Sequence, residues 1–154
     1  MMQRKKPRSS ASARAQLGVS MIELLVAMVI FAFGTLGLVG LQTRTLAFGQ
    51  SSLYRSQATA LTDDVLDRLR TDRANAKAGS WNTDFANASS SITGSLLYQT
   101  ELKDWKQQAE ALLPAGKAKI DVEVGTNIVT IWIQWDESRM GGESTQTFKT
   151  ISRL

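Results

Sequence analysis

Glu23 is the residue best placed to do chemistry in this chain, because of its surroundings. It is the only charge between Arg14 and Arg44, and it heads an apolar run, Leu24-Leu25-Val26-Ala27-Met28-Val29-Ile30-Phe31. A carboxylate at mid-bilayer costs about 2.5–3.5 kcal/mol on insertion scales, so an acid in such a run calls for a partner. A second set of acids, Asp136, Glu137 and Glu143, lies around Gly141-Gly142. Calcium takes about six to eight oxygens, and these three lack the spacing of an EF-hand loop. A solvated hairpin turn is the simpler reading. The chain has no His and no Cys. The commonest general base, the commonest metal ligand and the thiol nucleophile are therefore missing, and no catalytic constellation is recognisable. The chain does not read as an enzyme, and no cofactor, metal or small-molecule substrate is expected.

The element that positions Glu23 is a long apolar segment. Residues 24–41 have Thr35 as their only polar side chain. Counted from Val19, the segment makes a helix of about 35 Å, enough to cross a bilayer. A secretory signal has a shorter apolar core followed by a small-residue cleavage site. Ala47-Phe48-Gly49 offers small residues, but Arg44 intervenes. Gly34, Gly37 and Gly40 recur every third residue in the outer half of the run. Small residues let helices approach closely, and glycines also weaken a helix by about 0.8–1.0 kcal/mol each, so packing and melting both fit.

Charge gives the orientation. Of 18 basic residues, five (Arg4, Lys5, Lys6, Arg8 and Arg14) precede Gly18, which leaves 13 against 14 acids. The net charge of +4 therefore belongs to the leader, and nucleic-acid binding is not expected. By the positive-inside rule the leader stays cytoplasmic and the chain beyond Leu41 is exported. Without Cys, that exported part is held by packing and hydrogen bonds alone.

Beyond the anchor, Ala58, Leu61, Val65, Leu66 and Leu69 recur at helical spacing, and no breaker appears before residues 75–79. One helix of roughly 55 residues and about 80 Å follows. Residues 79–94 are rich in Ser, Asn and Ala and read as a surface loop anchored by Trp81 and Phe85. A second helix is predicted over 101–113, with Leu102, Trp105, Ala109, Leu112 and Leu113 as its apolar stripe and Pro114 and Gly116 ending it. Ala118, Ile120, Val122 and Val124 alternate with charged residues as a half-buried strand. Residues 128–135 and 145–152 supply two more, and short connections make an antiparallel meander. Alternation places Trp135 in the core and Trp132 on the opposite face, either exposed to a partner or covered by a loop.

The Gly18-Val19 junction, the basic leader and Glu23 together resemble the class III signal of type IV pilins and pseudopilins. That resemblance implies an α+β pilin-like fold: a long N-terminal helix packed on a small antiparallel sheet. The divisions are a leader at 1–18, a membrane or filament-core helix at 19–41 and an exported head at 42–154. It also implies that prepilin peptidase cuts between Gly18 and Val19 and methylates the new amino group of Val19. The family most often has Phe where Val19 stands. Glu23 would then take the amine of a neighbouring subunit in a low dielectric. An intrachain pair also fits, since Val19 and Glu23 are one turn apart, and the resemblance favours the pair between subunits.

Finer matches point to the minor pilins named PilV, also called type IV pilus modification proteins. They are Gly37-Leu38-Val39-Gly40-Leu41-Gln42, Gln57-Ala58-Thr59-Ala60-Leu61, Asp67-Arg68-Leu69-Arg70-Thr71-Asp72-Arg73, Ile133-Gln134-Trp135-Asp136-Glu137 and Thr147-Phe148. The implied role is a minor pilin that primes pilus assembly within a tip complex, with other minor and major pilins as partners. It would sit in the inner membrane with its N-terminus cytoplasmic and its C-terminus periplasmic, and reach the pilus or cell surface after assembly. The alternatives are a minor pseudopilin of a type II secretion system and a tip-displayed adhesin or binding module.

Overall fold

The computed structural model describes residues 20–154. The leader, Gly18 and Val19 lie outside the described residues. Contacts divide the chain after Leu41 into two units. Helix α1 runs Met21–Thr71, 51 residues, and so belongs to both. It ends earlier than the pattern suggested: Asp72 interrupts it, and a five-residue helix α2, Arg73–Lys77, follows.

In the unit Gln42–Leu154, α1 buries Ala58, Leu61, Thr62, Val65, Leu66 and Leu69. Thr62 sits in this stripe because its hydroxyl donates back to the carbonyl of Ala58 at 2.8 Å. Helix α3 spans Leu97–Leu112 and begins four residues before the expected start. The Gln99 side chain accepts the amide of Leu96 at 3.2 Å, satisfying one donor ahead of the first turn. The stripe of α3 also differs from expectation. Leu112 is exposed, and Lys106 is buried with Leu102, Trp105 and Ala109.

Strands β1 (Lys117–Glu123), β2 (Ile128–Trp135) and β3 (Gln146–Arg153) form an antiparallel sheet in that order. The second strand has the predicted bounds, and the third is shifted by one residue. Val124 falls just beyond β1 and is exposed, although the alternation had placed it in the core. The inner face supplies Ala118, Ile120, Val122, Val129, Ile131, Ile133 and Trp135, all buried. They share one core with α1, α3 and Trp81. This is the α+β, pilin-like arrangement of a long helix packed on a small sheet.

Three of the four tryptophans lie in this core, each with its indole N–H paired. Trp105 donates to Leu61 O at 2.8 Å, Trp81 to Asp72 Oδ2 at 3.1 Å and Trp135 to Glu137 Oε1 at 2.8 Å. Burying a large ring without pairing its donor would forfeit much of the gain, so these bonds decide where each ring can sit. Between α3 and β1 the chain doubles back so tightly that a Cβ on Gly116 would fall 2.1 Å from Ala109 O. Glycine is needed there for close approach, not for an unusual φ.

Candidate functional site

Glu23 lies in the first turn of α1. The carbonyl of Ser20 accepts the amides of Glu23 and Leu24 at 3.0 and 3.2 Å, which starts the helix there. An acid in this turn is favoured by the helix dipole. The side chain is exposed and enters no ion pair among the described residues. Helix α1 contains a segment long and apolar enough to cross a membrane, and none of that segment is buried. Its one hydroxyl, on Thr35, is satisfied internally by the carbonyls of Phe31 and Ala32 at 3.1 and 2.9 Å.

Gly34, Gly37 and Gly40 sit inside the helix, and a Cβ added at any of them meets nothing within 4 Å. Packing among the described residues therefore does not require them to be small.

Trp132 faces away from the core, half-buried, at the centre of the outer sheet face. Register aligns Lys119, Trp132 and Lys149 across the three strands. Both ammonium groups lie over the indole, at 5.3 and 5.5 Å from its centroid. Lysine side chains, not a loop, partner this ring. Lys119 also pairs with Asp84 at 3.1 Å, and that hydrogen bond is the largest cause of the lowered Asp84 pKa.

Asp136, Glu137 and Glu143 do not converge. No group of three or more His, Cys, Asp or Glu among the described residues could hold a metal ion. Asp136 turns outward and accepts the amide of Ser138 at 2.8 Å, which with the Ser138 hydroxyl keeps its carboxyl below the usual range. Glu137 turns inward, against the expectation of a solvated loop, and is 5% exposed. Its Oε1 accepts Trp135 Nε1 and also Ser51 Oγ at 3.1 Å, tying the end of β2 to α1. Its carbonyl accepts the amides of Met140 and Gly142 at 2.9 and 3.1 Å. A Cβ on Gly142 would lie 2.8 Å from the Glu137 Cβ, so this glycine leaves room for the inward-turned Glu137, while Gly141 takes a positive φ of 80°.

Lys106 was not singled out from sequence, although its spacing from Leu102 and Ala109 puts it on the buried stripe. It is 2% exposed and donates to Thr83 Oγ1 at 3.0 Å, to Asp84 O at 2.8 Å and to Asn87 O. Glu110, one turn later, accepts the Ser89 amide and hydroxyl at 2.7 and 2.6 Å. These two side chains hold the 83–89 loop, and Thr83 in turn bridges to Ile120 on the edge of β1. Lys106→Met is expected to destabilise this unit by about 2–3 kcal/mol, since buried carbonyls lose their donor. Chemical denaturation measures it, and a loss below about 1 kcal/mol would contradict this role. Burial lowers the Lys106 pKa, partly opposed by Glu110 and Asp84. The folded state then sheds this proton first, so stability rises with pH from the lowered pKa up to the unfolded value near 10.5. Lys106→Met should remove that rise.

Residues 13–39 match the family model described as the prokaryotic N-terminal methylation motif. Comparison with curated proteins and with solved structures gives no match. The motif supports a type IV pilin-like or pseudopilin protein, a structural class. It implies processing by prepilin peptidase and assembly with other pilins. The apolar helix beside it is consistent with membrane anchoring.

Proposed function

We propose that this pilin-like chain is a minor pilin of a type IV pilus, of the PilV group, that primes assembly within a tip complex. The observation that carries the reading is the methylation motif over residues 13–39, ending inside the exposed apolar part of α1, where Glu23 is the single acid up to Leu41. The chain is inserted with its basic leader cytoplasmic and its head periplasmic. Prepilin peptidase cuts between Gly18 and Val19 and methylates Val19. The new amine of one subunit docks on Glu23 of its neighbour, where low dielectric strengthens the attraction. Until then each charge lacks its best partner, which biases subunits toward the filament. Gly34, Gly37 and Gly40 let the helix pack closely or open as the subunit leaves lipid, and Trp132 faces a partner on the outer sheet face.

The intact mass and N-terminus of the membrane-purified protein test the first step. With active peptidase the chain should begin at Val19 and carry one added methyl group; without it, the leader should remain. An unprocessed leader in both samples would refute the assignment. The motif is shared with pseudopilins, so gene disruption separates the two systems. Loss of pili supports the proposal, and loss of protein secretion with normal pili transfers the chain to the secretion machinery.

A further inference from the structure

A cavity of about 360 Å³ opens beside Glu137, with Arg44, Phe48, Ser51 and Met140 in its wall. The Glu137 side chain is buried, yet both of its carboxylate hydrogen bonds fall on Oε1, and Oε2 accepts none among the described residues. Oε2 lies at the cavity wall, 3.0 Å from where a Cβ on Gly142 would be. Oε2 is open to the cavity and has no donor among the described residues, so it can accept from a cation that enters there. Arg44, in the same wall, enters no ion pair among the described residues. Phe48 is 75% exposed and its neighbour Leu46 70%. Arg44 is the third residue after Leu41 in sequence, so the cavity wall includes chain that directly follows the apolar run.

We propose that this cavity seats the headgroup of a phospholipid carrying a primary ammonium, as in phosphatidylethanolamine. The phosphate lies on the Arg44 guanidinium and the ammonium donates to Glu137 Oε2. Phe48 and Met140, in the same wall, pack against the methylenes of the ethanolamine. The cavity offers one cation and one carboxylate, which matches a zwitterion sign for sign. A glycerol headgroup leaves Glu137 without a cation, and a choline headgroup brings a cation that has no N–H to donate. The inference rests on the membrane-anchor reading and adds to it a lipid that the head grips until the subunit leaves the bilayer.

The test uses the full chain reconstituted in vesicles of equal parts phosphatidylethanolamine, phosphatidylglycerol and phosphatidylcholine. The protein is then released into mild detergent and its retained lipids are weighed by native mass spectrometry. The ethanolamine lipid should be retained about tenfold over the choline lipid, the scale of one charge-assisted hydrogen bond. Glu137→Gln keeps an oxygen for Trp135 and Ser51 and should erase the preference, while Arg44→Gln should lower retention of all three lipids. Equal retention by the unaltered protein, or a preference that survives Glu137→Gln, overturns the proposal. Should Glu137→Gln unfold, Arg44→Gln decides alone, on an exposed helical position, and unchanged retention there also overturns it. Failure to enter any vesicle refutes the anchor reading itself, a result distinct from insertion without lipid preference.

Discussion

Trp105→Ala is expected to lower the stability of the 42–154 unit by about 3–5 kcal/mol, enough to leave it largely unfolded if its total is at the low end for domains of this size. Trp105 has no exposed surface and sits between α3 and the buried face of α1, to which its indole N–H is bonded through Leu61 O. Truncation removes the ring volume from a core that has no disulfide to restrain it. It also removes the Trp105–Leu61 bond, leaving Arg68 to Glu101 as a side-chain tie between α1 and α3. Trp105→Phe keeps most of the volume and should cost less than half as much, which separates packing from the hydrogen bond. Trp132→Ala is the control, because that ring lies on the outer face and should change stability by no more than about 1 kcal/mol. Urea unfolding of the full chain in detergent, followed by tryptophan emission and far-ultraviolet dichroism, measures all three. A Trp105→Ala loss no larger than that of Trp132→Ala would show that the core is organised around other residues.

The second large effect concerns assembly. Glu23→Gln should leave insertion and leader removal intact but reduce incorporation into filaments by about a hundredfold or more. Removing one member of a desolvated ion pair leaves the other charge unpaired, at about 3–5 kcal/mol, which corresponds to two decades or more in an equilibrium. Among the described residues Glu23 enters no ion pair, and in sequence it stands four residues after Val19, the residue that peptidase would expose. Membrane fractions and sheared filaments, each probed for the processed chain, report the two steps separately. Incorporation at the unaltered level would remove the pairing between subunits from the mechanism. Loss of processing together with incorporation would instead assign Glu23 to recognition by the peptidase.

What sequence could show here depended on whether a residue's environment is local. β2 was legible to the residue, because Val129, Ile131, Ile133 and Trp135 alternate without interruption and two turns bound them. The buried face of α1 was legible for the same reason, at a period of 3.6. Lys106 and Glu137 were not. Each is a charged residue whose burial depends on partners distant in sequence: Thr83, Asp84 and Asn87 for the first, Ser51 for the second. Spacing marks Lys106 as inward-facing only after the stripe of α3 is drawn one position over from Leu112. For Glu137 no local pattern exists, since three acids around two glycines read as a solvent-facing hairpin turn. The early start of α3 at Leu97 escaped because its first turn exposes Leu97 and carries little periodicity. Glu23 was legible as an anomaly of charge.

The order in which these elements occur along the chain has a consequence for how the head is made. The sheet is built from the contiguous residues 117–153, strand following strand, and α3 directly precedes it. Contacts of such short sequence separation form quickly, and the slow closure is the one that brings this C-terminal half back onto residues 58–69. Those residues follow the apolar run and are synthesised first. In a chain threaded outward from its anchor, the tethered helix is therefore already present as a surface when the meander emerges. The last strand to arrive completes the sheet, with Leu154 N–H bonded to Asn127 O at 2.9 Å and the Leu154 carbonyl held by Arg73. A stalled chain lacking β3 would expose the long edge of β2 to any neighbour with a strand to offer.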